Sequence, residues 1–269
     1  MKVGIIGYGS MGKMLLWKFS SNYKLAKEDL LVANRTQEKL EEAKDIAVIC
    51  DNTTIASEAD IVFICVRPSD MKIVLAEISK SLREDTLLVT LNGSITFEMI
   101  RQIINTKTAK VIPSLTAEID RSQTIICYNA LVTEQDKYTL CELLGTIGEV
   151  IELPENEVGM GSELVSCMPG FIASVFDVIC TSAGSHTEIP REQITKMVLN
   201  TLSATGDLML AKNLSFNEVV ERVATKGGIT EEGTKVIYDM FPPAADEMFN
   251  KTLEKRRLTA EKAGAAFKE

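Results

Sequence analysis

The chain has 269 residues, of which 45% are hydrophobic and 25% charged, and its formal net charge is −9 at pH 7. This composition is that of a globular protein long enough for two domains. The acidic balance argues against nucleic acid or an anionic membrane as partner, because both favour Lys and Arg clusters. Six cysteines without C-x-x-C spacing and a single histidine argue against a zinc site or a disulfide framework. The N-terminal residues contain no secretory apolar core, so we expect a cytoplasmic protein.

Residues 1–153 alternate short apolar, β-branched runs with amphipathic stretches. Runs of this kind are typical of strands buried on both faces, and their alternation with helices predicts a doubly wound parallel sheet. The eight predicted strands are KVGII, LLVAN, AVICD, DIVFICV, TLLVTL, KVI near residue 110, TIICYN and EVIEL. The predicted helices cover residues 11–19, 36–43, 71–82 and 96–104, and a capping-box pattern at Thr133 and Asp136 begins another.

The strand patterns stop at Pro154, and residues 154–269 are predicted to form long helices. The predicted breaks are SAGSHTEIP, AKNLS, TKGG and FPP, and a capping box at Ser215 and Glu218 begins one helix. The apolar run ELVSCMPGFIASVFDVICTSAG contains a proline and an aspartate, which favours a buried core helix over a membrane span. The charged, Ala-rich end after residue 253 is predicted to be a solvated or fraying helix end. The predicted architecture is a Rossmann-type α/β domain, residues 1–153, followed by an all-helical domain, residues 154–269.

A glycine-rich motif, GYGSMG, follows the first predicted strand and opens the first helix. In this context the three glycines of G-x-G-x-x-G allow a tight turn, a close approach to a pyrophosphate and close packing of helix on strand. A tight turn without a ligand is the alternative. The predicted cofactor-binding residues of this segment are Gly7, Tyr8, Gly9, Ser10, Met11 and Gly12.

The tip of the second predicted strand reads Asn34-Arg35-Thr36, where NAD-selective folds carry an acid for the ribose 2′-hydroxyl. Arg35 is able to pair with a 2′-phosphate, and Asn34 and Thr36 offer donors to its oxygens. The sequence therefore favours NADP(H) over NAD(H) as cofactor. The alternative is that Arg35 is only a solvated residue of the first helical turn.

Two further loops follow predicted parallel strands at the edge where open α/β sheets bind ligands. The loop after the fourth strand contains Val66, Arg67 and Pro68, and the loop after the fifth contains Asn92 and Gly93. We predict that these five residues complete the cofactor site.

The string TKGGIT in the helical half combines a Gly-Gly turn with Thr230, a good N-cap residue, and two acidic residues suited to a first helical turn. Backbone amides in such a turn are able to hold a carboxylate. Composition alone favours a plain interhelical turn.

Six motifs in order and at matching spacing, GYGSMG, ANRT, CVRP, KVIPS, LVSCMPGF and TKGGIT, resemble the pyrroline-5-carboxylate reductase family, and most of all its late-competence-protein branch. The resemblance covers nearly the whole chain. It implies NADPH-dependent reduction of 1-pyrroline-5-carboxylate to L-proline, in a homodimer with interlocking helical domains or a larger homo-oligomer. No nucleic-acid or membrane partner is implied.

The resemblance also implies site residues. Gly227 and Gly228 would bind the substrate carboxylate through backbone amides, and the hydroxyl of Thr230, the implied catalytic residue, would contact the imine nitrogen. The remaining substrate-binding residues would be Ser166, Cys167, Met168, Lys226 and Ile229. Because a cyclic iminium is already a strong electrophile, a well-placed hydride donor suffices without a metal.

The departures from the family pattern lie at the substrate end. Lys226 replaces a proline, Ile229 a threonine, and Val165–Met168 a run of small residues. Two alternatives therefore stay beside the proline-forming reaction: reduction of a related imine or oxo-acid, and a catalytically weak NADP-binding regulatory protein.

Overall fold

The computed structural model describes residues 1–268 and divides into two compact units. The first is Met1–Pro169 together with the chain from Leu253 onward, and the second is Gly170–Thr252. The sheet ends at Glu152, next to the domain boundary expected after residue 153. The two compact units have different boundaries from this one: the first extends to Pro169 and also includes the chain from Leu253 onward.

The first unit contains one eight-stranded sheet of order β3-β2-β1-β4-β5-β6-β7-β8. All eight predicted strands are confirmed, as is the Rossmann-type fold. Their bounds are β1 Val3–Ile6, β2 Leu30–Ala33, β3 Val48–Ile49, β4 Ile61–Ile64, β5 Leu87–Thr90, β6 Thr108–Ile112, β7 Ser122–Tyr128 and β8 Gly148–Glu152.

The sheet is not parallel throughout. Strands β1 to β6 are parallel, whereas β7 pairs with β6 in the antiparallel sense, with Ile112 opposite Ile125. The connection from β6 to β7 holds only a short 3₁₀ turn, Leu115–Ile119. A parallel crossover needs about a dozen residues or more, so the short connection forces the reversal.

The central strands are buried on both faces, which explains their continuous apolar sequences. Val3 and Ile5 of β1 face one core cluster, and Ile6 faces the other, as the two-residue period of a strand requires. The helices of this unit cover the faces: α1 Ser10–Ser21, α2 Asn52–Glu58, α3 Pro68–Ile78, α4 Phe97–Arg101, α5 Glu134–Gly145 and α6 Val158–Ser162.

The local helix predictions for this half are mostly confirmed. Thr133 and Asp136 form the predicted capping box of α5. The stretch predicted as a helix after Thr36 forms 3₁₀ turns instead, Gln37–Ala43. Helix α2 was not predicted; its N-cap, Asp51, accepts a hydrogen bond from the amide of Thr54 at 2.7 Å.

The later helices are α7 Met168–Gly184, α8 Arg191–Lys212, α9 Phe216–Val223 and α10 Ile229–Lys268. The capping box of Ser215 and Glu218 is confirmed. The break predicted at FPP is wrong, because α10 continues through Pro242 and Pro243. Both prolines are exposed. Water is thus able to satisfy the backbone carbonyls that lose their donors.

The prediction that the apolar run up to Gly184 forms a buried core helix is wrong for the single chain. Only Cys180 of α7 is buried. By length and composition alone, the helical run Glu155–Gly184 would suffice to cross a membrane, and 6% of its apolar stretch is buried. Within residues 1–268, no layer covers the exposed apolar side chains of α7.

The end of the chain is not the solvated tail that its composition predicts. Ala263 and Phe267 are buried in the core cluster formed around α3. Lys72 of α3 donates a hydrogen bond to the carbonyl of Ala266 at 2.9 Å. This segment is therefore a helix with one apolar face, which packs on the first unit, although most of its residues are charged or small.

Candidate functional site

The glycine-rich loop between β1 and α1 has the backbone geometry that its sequence predicts. Gly7 has φ +103°, a conformation that L side chains rarely adopt, and a Cβ on Gly12 would lie 2.0 Å from the carbonyl oxygen of Gly7. A Cβ on Gly9 would meet no atom within 4 Å. The loop is thus packed tightly on its inner side and open at Gly9, which fits a pyrophosphate resting on the N-terminus of α1.

The tip of β2 is fastened to this loop by Asn34. Its Oδ1 accepts a hydrogen bond from the amide of Tyr8 at 3.0 Å, and its Nδ2 donates to the carbonyl of Thr36 at 2.9 Å. Tyr8 itself is buried, and its hydroxyl accepts from Trp17 Nε1 at 3.1 Å. Asn34 and the Tyr8 side chain therefore shape the site, while the exposed Arg35 and Thr36 are free to contact a ligand.

A cleft of about 560 Å³ opens between the glycine loop, the tip of β2 and α3, at the carboxyl edge of the sheet. Arg35, Lys39 and Arg67 line it, and no side-chain partner holds any of the three within residues 1–268. Acidic residues line it as well. The predicted residues that the cleft brings together are Gly7, Tyr8, Gly9, Asn34, Arg35, Thr36, Val66 and Arg67.

Other predicted cofactor residues lie around this cleft. Ser10 lines an adjoining cleft with Lys13 and Lys39. Met11, Gly12, Pro68, Asn92 and Gly93 line neither. Sequence reasoning missed several lining residues, because they come from the 3₁₀ turns after β2, from the residues that follow β3, and from α2 and α3. These are Gln37, Lys39, Cys50, Asp51, Asn52, Asp70, Ile73, Val74 and Glu77.

The thiols near the cleft are unreactive. Burial raises the pKa of Cys50 to about 11 and that of Cys65 to about 12, so both remain protonated near neutral pH. All six cysteines are free, and Cys127 and Cys180 are the buried ones.

Asn92 fixes the loop after β5. Its Nδ2 donates to the carbonyl of Val66 at 3.0 Å, and its amide donates to Thr90 Oγ1 at 3.2 Å. A Cβ on Gly93 would lie 3.3 Å from Nη1 of Arg256. The loops after β4 and β5 are thereby joined, and the last helix reaches the same edge of the sheet.

A partly buried ion pair, with a buried glutamate and a half-buried arginine, lies beside this loop. Arg256 donates from Nε at 3.1 Å and from Nη2 at 2.7 Å to one oxygen, Oε1, of Glu163, whose side chain is 1% exposed. Nη2 also donates to Ser162 Oγ at 3.0 Å. Glu163 begins a π-helical turn, Glu163–Cys167, that leads to the predicted residues Ser166–Met168. Neither partner was identified from the sequence, because 93 positions separate them.

The Gly-Gly turn of the second unit differs from its prediction. Gly227 has φ +73°, and its amide donates to Oε2 of Glu231 at 2.6 Å. The amide of Gly228 donates to the carbonyl of Thr225 at 2.8 Å. Two of the amides predicted to hold a carboxylate are therefore occupied within the chain.

The residue type of Thr230 predicts that it is the N-cap of α10, but it is not. The helix already begins at Ile229, so Thr230 lies within its first turn. Its side chain is exposed and has no hydrogen-bond partner within the described part of the chain. Lys226 and Ile229 are also exposed. The Thr230 hydroxyl thus remains available to a ligand.

Comparisons with known proteins match both halves. Residues 2–93 match a family model described as NADP oxidoreductase, coenzyme F420-dependent, and residues 155–258 match one described as pyrroline-5-carboxylate reductase dimerisation. Pyrroline-5-carboxylate reductase 3 of Bacillus subtilis is 29% identical over 272 residues, covering 98% of each chain. ComE operon protein 4 of the same organism is 26% identical, covering 100% of this chain and 98% of its own.

Solved structures agree on the fold. Pyrroline carboxylate reductase of Plasmodium falciparum, determined with NADP bound, superposes with a TM-score of 0.84 at 19% identity, covering 99% of this chain and 98% of that one. The reductase of Coxiella burnetii also gives 0.84, at 21% identity, covering 97% and 98%. Motifs, fold and end-to-end similarity agree: the chain is similar along its whole length to pyrroline-5-carboxylate reductases, and residues 155–258 match the dimerisation domain of that family.

Proposed function

We propose that this protein reduces 1-pyrroline-5-carboxylate to L-proline with NADPH, as a cytoplasmic homodimer. One observation carries the proposal: the cleft at the carboxyl edge of the sheet is bounded by a glycine loop open at Gly9 and by Arg35, which has no side-chain partner among the described residues, 1–268. When bound there, NADPH supplies the hydride. The residues of the chain bind, orient and enclose the reactants.

The charge at the tip of β2 supports NADPH over NADH. Arg35 and Lys39 both line the cleft, and Thr36 adds a hydroxyl. Charge-assisted contacts to a 2′-phosphate need cationic donors, and a carboxylate at this position would repel that group. Asn34 holds the loop in place by its two hydrogen bonds.

The turn before α10 is the proposed site for the substrate carboxylate. Gly227 and Gly228 form the turn, Thr230 presents its hydroxyl, and Lys226 adds a positive charge nearby. The carboxylate of Glu231 already accepts the hydrogen bond of the Gly227 amide. A substrate carboxylate that used this amide would have to displace the Glu231 side chain.

Homodimerisation would cover the exposed apolar side chains of the helical half. Val178 and Ile179 of α7 are 67% and 45% exposed, and Met240 and Phe241 of α10 are 72% and 44% exposed. Patches of this kind mark interfaces. The matched family model for residues 155–258 is a dimerisation domain, which supports an interface built from these helices.

The decisive assay mixes purified protein, NADPH and millimolar 1-pyrroline-5-carboxylate and follows the nicotinamide absorbance. We expect turnover that requires both reactants, with L-proline as product. Tight NADPH binding without any turnover would instead identify a nucleotide-binding regulatory protein.

Glu231 favours one second candidate, an imine reductase whose substrate lacks a carboxylate. The glutamate places a negative charge on the turn where the family binds an anion. Assaying 1-pyrroline beside 1-pyrroline-5-carboxylate separates the two candidates. A higher kcat/KM for 1-pyrroline would replace proline formation with reduction of an uncharged imine.

A further inference from the structure

The buried carboxylate of Glu163 has an oxygen that the fold does not use. Oε1 accepts two hydrogen bonds from Arg256, whereas Oε2 is buried without a partner within residues 1–268. Leaving a buried acceptor unsatisfied forfeits its hydration without a replacement hydrogen bond, so such groups are rare and call for a functional explanation.

Arg256 compensates the charge of Glu163 but does not exhaust its hydrogen-bonding capacity. A guanidinium commonly binds a carboxylate through both oxygens. Here Nε and Nη2 converge on a single oxygen, and Nη2 also donates to Ser162 Oγ at 3.0 Å. The arrangement holds the carboxylate at one end and leaves Oε2 for another donor.

The location of the pair connects it to the reaction. Nη1 of Arg256 would lie 3.3 Å from a Cβ on Gly93, in the loop that follows β5 at the ligand-binding edge of the sheet. Glu163 also begins the π turn that carries Ser166 and Cys167. Such turns occur frequently at functional sites.

The negative charge of Glu163 acts on the thiol of Cys167, in the same turn. The pKa of the Cys167 thiol is raised, first by burial and then by the nearby Glu163 carboxylate. The Cys167 Sγ atom lies 4.0 Å from Nη2 of Arg256. The pair therefore borders the residues that the family resemblance assigns to the substrate.

We propose that Oε2 of Glu163 accepts the N–H of the protonated cyclic imine and so makes Glu163 a catalytic residue, held in place by Arg256. This inference rests on the proposed imine reduction. Hydride adds to the imine carbon, and the C=N π pair becomes the nitrogen lone pair. The nitrogen keeps its proton, so Glu163 transfers none; its negative charge stabilises the iminium and the ring N–H of the product.

The test uses two ligands that separate the nitrogen from the carboxylate, each titrated into the NADP⁺-loaded protein. Pyrrolidinium carries the cationic N–H and no carboxylate, and tetrahydrofuran-2-carboxylate carries the carboxylate and no N–H. For Glu163→Gln we expect pyrrolidinium affinity to fall at least tenfold, with less than a twofold change for tetrahydrofuran-2-carboxylate and NADP⁺. Arg257→Gln, on the neighbouring exposed arginine, is the matched control and should change none of the three.

A second arm measures kcat and KM for 1-pyrroline-5-carboxylate. Glu163→Gln should lower kcat at least tenfold, while Glu163→Asp should recover part of it because the charge returns. If the wild-type protein turns over neither imine but binds pyrrolidinium through Glu163, the proposed reaction fails and the cation site stands. Equal pyrrolidinium binding by the wild type and Glu163→Gln, or no binding by either, overturns the role of Glu163.

Discussion

The nucleotide-binding half and the helical half of this chain differ in how completely they bury their own apolar side chains. In the first, central strands and their helices bury one another, and each predicted loop finds its partners within the same unit. In the second, α7 has a single buried residue, and the Gly-Gly turn has one amide occupied by the side chain of Glu231. The first half, together with the end of the chain that packs on it, forms a complete core. The segment from α7 to the first part of α10 instead leaves apolar side chains exposed.

Arg256 gives the strongest test of that contrast, because it lies in the helical segment that packs on the first unit. Arg256→Leu leaves Glu163 buried and uncompensated, and we expect it to lower the free energy of unfolding by about 3–5 kcal/mol. Arg257→Leu removes only exposed pairs within the helix, so we expect a much smaller loss from this variant. Urea denaturation of both variants makes the comparison. Equal losses would show that the Glu163 pair is not the reason for the effect.

The glycine loop tests whether the first half is as tightly packed as its geometry indicates. Gly12→Ala places a Cβ 2.0 Å from the Gly7 carbonyl oxygen. We therefore expect the free energy of unfolding to fall by about 1–3 kcal/mol and NADPH binding to be lost. A Cβ at Gly145 meets no atom within 4 Å, which makes Gly145→Ala the control. Thermal unfolding and NADPH titration measure both effects. An unchanged Gly12→Ala protein would contradict the close approach of α1 to the loop.

The tip of β2 tests cofactor choice without disturbing the fold. Arg35→Asp should weaken NADPH binding by about 1.5–3 kcal/mol and change NADH binding far less, because only NADPH carries the 2′-phosphate. Fluorescence titration with the two nucleotides gives the difference. Unchanged NADPH affinity would show that Arg35 does not hold this phosphate.

Glu231 gives the smallest expected effect and sharpens the description of the helical half. Glu231→Gln should lower the KM for 1-pyrroline-5-carboxylate about fivefold, roughly 1 kcal/mol, because a neutral amide competes less well for the Gly227 N–H than a carboxylate does. Glu232→Gln is the control, since Glu232 pairs with Lys235 at 2.7 Å instead. Steady-state kinetics with 1-pyrroline should show no change. A higher KM for the Glu231 variant would mean that this side chain helps to bind the substrate.

Local sequence patterns were reliable where one stretch of chain decides its own structure. The strands follow from their β-branched runs, and the capping boxes at Thr133 and Ser215 formed as predicted. The glycine loop was also predictable. Gly7 has a positive φ that other residues rarely adopt, and Gly12 lies too close to the Gly7 carbonyl oxygen to carry a Cβ. The resemblance to the reductase family added the order and spacing of motifs.

Contacts between distant segments were not predictable. The charged end of the chain gave no sign that Phe267 would be buried or that Arg256 would bind Glu163. The residue type of Thr230 suggested a helix cap, but the helix begins at Ile229, two residues earlier than such a cap would allow. Pro242 and Pro243 suggested a break, yet exposed prolines are tolerated where water satisfies the freed carbonyls.

The sequence by itself thus determined the eight strands, the glycine loop and the cationic tip of β2, because backbone conformation and hydrophobic period are local properties. Only the tertiary structure decided that β7 reverses, that α10 returns to the first unit and that Oε2 of Glu163 is buried without a partner in the described part of the chain. The physical reason is that burial and charge pairing depend on which segments meet in space. For the residues that carry the proposed chemistry, Glu163 and Arg256, that meeting joins chain positions 93 residues apart.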